Sequence, residues 1–395
     1  MSAALLSALQ HALINQPLPA AVLDLDAFDA NLTALLTRAG RHPLRIASKS
    51  LRVPALIQRV LAADPRCQGV LCFHGREACA LAEQGITDLL VAYPTVQPDT
   101  LRAVAEQLRQ GRLITLMVDD AEQVKRIAEI GEQEHVVFPL CLDVDLSLPL
   151  PGLHFGVQRS PIRSASAAVA CFDVIRALPS VRLEGVMGYE AQVAGVGDQV
   201  PGAALKNRLI RRLKQLSLPR LAARRQAVVN ALEQAGAKLR FVNGGGTGSL
   251  ETTCSDPSVT EVSAGSGLFA PVLFDHYQDF QHSPSLFFAL EVVRQPQADV
   301  VTCAGGGYIA SGAAGSDRLP TPVWPPGLSL LPLEGAGEVQ TPLRGSRLPA
   351  IGDAVLFRHA KAGELCERFN QVLVVQGGTV TGGLPTYRGL GWQFM

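Results

Sequence analysis

Short apolar runs without strict alternation recur along the chain, separated by segments of helical periodicity, and that rhythm sets the expected fold. An opening segment reads as a strand at 21–28 (AVLDLDAF) and a short helix at 31–40 closed by Gly40. From there the units repeat. Strands are expected at 43–49, 69–73, 88–93, 113–118, 136–144, 183–189, 239–243 and 261–264, with helices at 54–63, 76–84, 99–109, 121–130, 164–178 and 220–235. Runs with no polar face are what parallel strands covered on both sides require. Eight such strands within 41–275 predict a (β/α)8 barrel of the TIM type, whose usual length is roughly 250 residues.

After residue 275 the texture changes to β-like runs at 286–293, 299–303, 352–358 and 370–375, broken by Gly and Pro. A β-rich C-terminal domain over 276–395 is expected, with the Pro-rich stretch 319–332 as an irregular crossover. Residues 1–40 form an N-terminal strand and helix that the pattern allows to pack with either domain. One segment breaks the rhythm. Residues 191–218 are too long for an ordinary connection and carry Lys206, Arg208, Arg211, Arg212 and Lys214. Without an aromatic stacking platform they read as a solvated helical insertion that covers the site, not as a nucleic-acid surface.

Composition changes the picture little. With 395 residues, 47% hydrophobic and 18% charged, the chain is long enough for one large and one smaller core. The formal net charge is zero, so nothing global favours nucleic acid or an anionic membrane, and a small-molecule partner is expected. Residues 1–16 show no signal-peptide pattern and no stretch reads as a membrane span. Cys67, Cys72, Cys79, Cys141, Cys171, Cys254, Cys303 and Cys366 are scattered with no C-x-x-C pair. That argues against a disulfide framework and a structural zinc, and fits reduced thiols in a cytoplasm.

The chemistry centres on Lys49, read as the last residue of the first barrel strand. An amine at the rim of an apolar element loses hydration, which favours the neutral nucleophile able to form a Schiff base. A barrel of this kind carries its chemistry at the carboxyl ends of its strands and a phosphate site after the seventh and eighth. There the chain runs Asn243-Gly244-Gly245-Gly246-Thr247-Gly248-Ser249 and Ser263-Ala264-Gly265-Ser266-Gly267. Glycine lets backbone amides converge on an anion, and Thr247, Ser249 and Ser266 add hydroxyls. Tyr189 ends the sixth strand. His74, Tyr93, Asp143 and Asp145 end others, where polar residues also serve as caps for the following helices.

The segments LRIASKS, HFGVQRSP, MGYEAQ, NGGGTGS, EVSAGSGLF and GDAVLFRHAKAGELCE together resemble the fold-type III pyridoxal-phosphate enzymes, with an alanine-racemase-like barrel and a β domain. Over nearly the whole chain the likeness is to the D-threonine aldolase and D-serine dehydratase branch, particularly relatives termed amino acid deaminase/aldolase. It implies that Lys49 is the Schiff-base lysine, Arg159 the arginine on the cofactor's phenolic oxygen, and Tyr189 a neighbour of the cofactor. It assigns the phosphate to Asn243, Gly244, Gly245, Gly246 and Thr247 with Gly265, Ser266 and Gly267, and implies a homodimer.

The late segment departs from the family pattern. There a histidine and, two residues on, an aspartate or cysteine bind a divalent metal. Here His359 is followed by Ala360 and Lys361, and an ammonium cannot ligate and repels a dication. Glu364 or Cys366 would complete only a two-ligand site, so a metal stays open, with His359 as the family-matched ligand. The expectation is that Lys361 supplies the positive charge and His359 moves a proton. The implied activity is retro-aldol cleavage of a D-3-hydroxy amino acid to glycine and an aldehyde. Dehydration and deamination of a D-serine-like substrate comes next and racemisation third, with non-catalytic cofactor binding as the reading of another class.

Overall fold

Eight parallel strands close into a barrel in chain order: Leu44–Ala47, Cys67–Cys72, Leu89–Val91, Ile114–Val118, Phe138–Asp143, Val181–Gly188, Phe241–Gly244 and Glu261–Ala264. The computed structural model describes residues 3–395 and divides them into two units. The barrel lies wholly in the unit made of residues 35–48, 57–265 and 394–395. The other unit takes the chain up to Ala34, residues 49–56 and residues 266–393. Lys49 therefore belongs to this second unit, immediately after the barrel unit's Ser48.

The barrel interior is packed by Leu90, Ala92, Met117, Cys141, Met187 and Phe241, so it is a filled core and not a channel. The amino ends of the strands are closed by charge. Arg45, with no exposed surface, donates to both carboxylate oxygens of Glu261, at 2.8 and 3.0 Å, and to Asp88. Arg240 reaches the same Asp88 from before the seventh strand. A buried guanidinium is tolerable only with such complete pairing.

All eight expected barrel strands are present, but the first is shorter than its apolar run. It stops at Ala47, and Lys49 lies in the 3-10 turn Ser48–Ser50. The reason is local. The Ser48 hydroxyl donates to Leu71 O of the neighbouring strand at 3.1 Å, taking a carbonyl that a longer ladder would use. The basic segment also differs from its expectation. A single helix, Ala204–Gln234, runs through Pro219 where the sequence suggested a start at 220. Pro219 is exposed, so its missing N–H costs one helical bond without a buried clash. The insertion is only partly solvated. Lys214 is buried against Asp198 at 2.8 Å, and Arg211 donates to Asp198 O at 2.7 Å.

In the other unit nine strands form one sheet. Strand Ala20–Asp24 pairs antiparallel with Leu286–Gln297 and parallel with Gln371–Gln376, so the N-terminal strand sits inside the C-terminal sheet. It ends earlier than expected because the Asp24 carboxylate caps the helix Leu25–Ala39 through Ala27 N–H at 3.1 Å. Helix Ala3–Ala12 lays Leu6 and Leu9 on Val22, Phe287, Ala289 and Leu356. The expected later runs appear as Leu286–Gln297, Val300–Ala304, Ala354–Arg358 and Gln371–Gln376. The Pro-rich stretch is more ordered than predicted. Thr321–Trp324 pairs with Ala354–Arg358, and Ser329–Leu330 with Gln340–Arg344. Each pairs in this way as a sheet border, where a proline's missing donor is not needed. No helix among the described residues is long and apolar enough to cross a membrane.

Candidate functional site

In the sheet-bearing unit the turn that carries Lys49 is fixed by its backbone. Lys49 O accepts from Arg52 Nε at 3.2 Å, and Arg52 is anchored to Glu367 at 2.7 Å. Gly363, with φ +81°, lies so close that a Cβ there would collide with Lys49 O. On the other flank the Ser50 and Ser266 hydroxyls are 3.1 Å apart, tying the lysine turn to the second glycine segment. The Lys49 side chain is exposed, which corrects the expectation of a dehydrated amine: the strand ends before it, so the lysine stands on a turn and not within the apolar element.

His359 follows strand Ala354–Arg358 and is buried, edge-on to Phe269 at 6.4 Å. Neither ring nitrogen has a partner of good hydrogen-bond geometry among the described residues, although the Leu286 backbone lies near enough to act on the ring. Burial, aided by the Arg358 charge, pushes its pKa down to about 3, and the Leu286 backbone and Glu364 oppose that shift only weakly. The imidazole is neutral at physiological pH. Lys361 is half-exposed and its charge is already met: Nζ lies 3.0 Å from Glu364 and 2.7 Å from the Ser311 hydroxyl. Glu364 in turn accepts from the Ser311 amide and hydroxyl. The positive charge expected at Lys361 is therefore held in a local bracket with Glu364 and Ser311. Cys366 is buried with its thiol pushed up to about 12. No group of three or more His, Cys, Asp and Glu among the described residues has the arrangement to hold a metal, so the donors do not fit the family's metal.

In the barrel unit Arg159 is exposed, with its guanidinium 5.7 Å above the Tyr93 ring and no hydrogen bond or ion pair among the described residues. Tyr189 shares that electrostatic neighbourhood, and burial pushes its phenol up to about 12. Asp143, at the end of the fifth strand, is raised to about 7 by burial first and by Asp119 next, with Arg159 opposing and Asp145 adding. Asp145 itself is structural, accepting from Ser147 N–H and Arg163. His74 caps the following helix through Arg76 N–H and stacks on Phe394.

The first glycine loop is more engaged than its sequence suggested. Asn243 is buried, and its side-chain amide donates to Glu261 and Ser263 in the strand layer, so that side chain braces the barrel. Gly245 N–H donates to Glu190 Oε2 at 2.8 Å and Gly246 N–H to Ser249 Oγ at 3.2 Å. Gly244 is needed for packing: a Cβ would press on Thr253, Arg225 and Glu190. At Gly246 a Cβ would sit 3.0 Å from Ala194 Cβ and 3.3 Å from Tyr189 Cε2, which brings the loop and Tyr189 together. Thr247 is buried with its carbonyl bonded by Arg38 at 2.7 Å. Of the second segment, Gly265 is buried at the end of the barrel unit, while Ser266 and Gly267 open the short helix Ser266–Phe269 in the other unit.

Sequence reasoning passed over what lies beneath that loop. Glu190, Arg225 and Asp256 form a buried ion-pair network: Arg225 bridges Glu190 and Asp256, the latter at 2.5 Å, and Thr253 Oγ1 donates to Glu190 at 3.3 Å. The one signal was position. Glu190 directly follows Tyr189 at a strand end, and Arg225 sits on a helix whose Leu205–Leu232 stretch holds no acidic residue.

Residues 23–271 match the family described as "Alanine racemase, N-terminal domain". The chain belongs to that family. Over 376 residues it is 25% identical to D-threonine aldolase of an Arthrobacter species, covering 92% of this chain and 90% of that one. It is 23% identical to 3-hydroxy-D-aspartate aldolase of Paracoccus denitrificans over 66% of this chain and 62% of that protein. Among solved structures, D-threonine aldolase from Filomicrobium marinum superposes with a TM-score of 0.80 at 21% identity, covering 94% and 95% of the two chains. The chain has that fold, and it is related to aldolases and dehydratases of a family that is generally pyridoxal-phosphate-dependent.

Proposed function

We propose that this chain is a pyridoxal-phosphate-dependent lyase that cleaves a D-3-hydroxy amino acid to glycine and an aldehyde. The observation that carries this reading is Lys49: an exposed amine two residues past the end of the first barrel strand, on a turn whose backbone is locked by Arg52, Gly363 and the Ser50–Ser266 contact. End-to-end similarity to a D-threonine aldolase supports the aldol direction.

The residues present fit the cofactor. Lys49 Nζ would hold its aldehyde carbon as a Schiff base. Arg159, with its fork of donors unengaged, suits an anionic oxygen, whether the ring's phenolate or the substrate's carboxylate. Gly246, Thr247, Gly265, Ser266 and Gly267 are the remaining phosphate-loop positions. Once bound, the cofactor supplies an electron sink for the bond that breaks at the amino acid's α-carbon. For the aldol direction a group must take the β-hydroxyl proton. His359, a neutral imidazole, is the acceptor assigned to that proton, and Tyr189 is a phenol donor beside the loop.

The test is absorbance of the purified protein, wild type and Lys49→Ala, with pyridoxal phosphate and then D-threonine, D-serine and their L-enantiomers, assaying aldehyde and keto acid in parallel. A visible band absent in Lys49→Ala, perturbed by D-threonine alone and accompanied by aldehyde, supports the reading. Keto acid from D-serine would replace it with a dehydratase. No visible band in the wild type would remove the cofactor altogether.

A further inference from the structure

Glycine-rich loops are permissive, and an anion site needs one shape. Here the shape is imposed from beneath. Glu190 is 3% exposed, and its two carboxylate oxygens face different elements. Oε2 accepts from the Gly245 amide of the loop. Oε1 accepts from Arg225 on the long helix and from Thr253 on the helix Leu250–Cys254 that follows the loop. Thr253 Oγ1 also lies 3.2 Å from Ser249 Oγ, which accepts from Gly246 N–H. Two successive loop amides are therefore held by one buried carboxylate, Gly245 directly and Gly246 through Ser249 and Thr253. Gly245 has φ +84°, a conformation that glycine adopts freely and that this hydrogen bond selects. Arg225 bridges Glu190 to Asp256, so the side chain under the loop is held by a buried guanidinium as well as by the loop itself.

We propose that Glu190 is the positioning residue of the phosphate-binding loop, and that cofactor affinity depends on the Gly245 N–H to Glu190 bond apart from overall stability. This rests on the pyridoxal-phosphate reading above. Shortening the side chain separates the two roles. Glu190→Asp keeps a carboxylate for Arg225, yet withdraws the acceptor from Gly245. Thr253→Val keeps Glu190 and removes a hydroxyl that buttresses it.

The experiment measures the dissociation constant of pyridoxal phosphate by protein fluorescence in a Lys49→Ala background, where no Schiff base contributes, alongside the melting temperature of each cofactor-free protein. A buried charge-assisted bond lost from the loop predicts affinity weakened at least ~10-fold in Glu190→Asp and a few-fold in Thr253→Val, while the melting temperatures stay near that of the parent. Unchanged affinity in folded Glu190→Asp overturns the proposal and leaves the lyase reading intact. If Glu190→Asp fails to fold, Thr253→Val decides: unchanged affinity there overturns the proposal as well. A parent that binds no pyridoxal phosphate, and an otherwise native chain that shows no visible band with it, would overturn both.

Discussion

Three side chains carry the sharpest consequences at the residue scale. Asp143 is raised from 3.8 to about 7, burial first and Asp119 next, against the pull of Arg159. A carboxyl whose folded pKa is raised holds its proton in the native state after the unfolded chain has lost it. Its contribution to stability is therefore full below about pH 4, falls as pH rises, and levels off above about 7. Asp143→Asn removes that slope. Thermal melts from pH 4 to 8 should show the variant matching wild type at pH 4 and exceeding it at pH 8; parallel curves would contradict the burial of that carboxyl. The other two are His359 and Lys361. Because Lys361 Nζ is bracketed by Glu364 and Ser311, protein purified without chelator is expected to contain far less than one equivalent of zinc or manganese. Elemental analysis checks this, and one tightly held equivalent would contradict it. Sequence made the departure at Lys361 visible, since an ammonium in a ligand's place is a matter of residue type. It did not show the bracket in which Glu364 pairs with the ammonium and the Ser311 hydroxyl accepts from it, because Ser311 lies on a distant loop. Asn243 is a related case: its place at the strand end was legible, but the direction of its amide depends on Glu261 and Ser263 across the barrel.

Elements were legible where periodicity was strong and blurred where one residue decided. The helix Pro54–Ala63 matches its expected bounds. The long helix does not, since Pro219 reads as a boundary only when the helix face it occupies is unknown. Likewise Ser48 ends the first barrel strand through a neighbour's carbonyl that no local pattern reveals. The turn that results is held by Gly363 from far along the chain. Gly363→Ala would place a Cβ against Lys49 O and strain a backbone at φ +81°. It should destabilise by about 2 kcal/mol or more. Because the pressure falls on the lysine's own backbone, the folded variant should also lose cofactor retention, read as the visible band surviving gel filtration. A variant that melts early yet keeps full retention would confine Gly363 to stability.

For the whole molecule, the barrel could be foreseen because eight short apolar runs admit few other closures, whereas the placement of the N-terminal strand could not. A strand gains its partners by position in space, and Ala20–Asp24 has an antiparallel neighbour more than 260 residues away and a parallel one more than 340 away. Its five residues are all buried, so it is a central strand and not an appendage. The sheet is consequently assembled from both ends of the chain, and its stability depends on contacts of very high sequence separation. Val22, with no exposed surface, packs in the cluster of Leu6, Phe287, Leu356 and Leu373. Val22→Asp buries an unpaired carboxylate there and should cost roughly 4 kcal/mol or more. The loss should appear as a lower denaturant midpoint, and a chain starting at Leu25 should be insoluble unless a peptide spanning residues 3–24 is supplied. A soluble, cooperatively unfolding truncation would show that strands Leu286–Gln297 and Gln371–Gln376 can close the sheet without it.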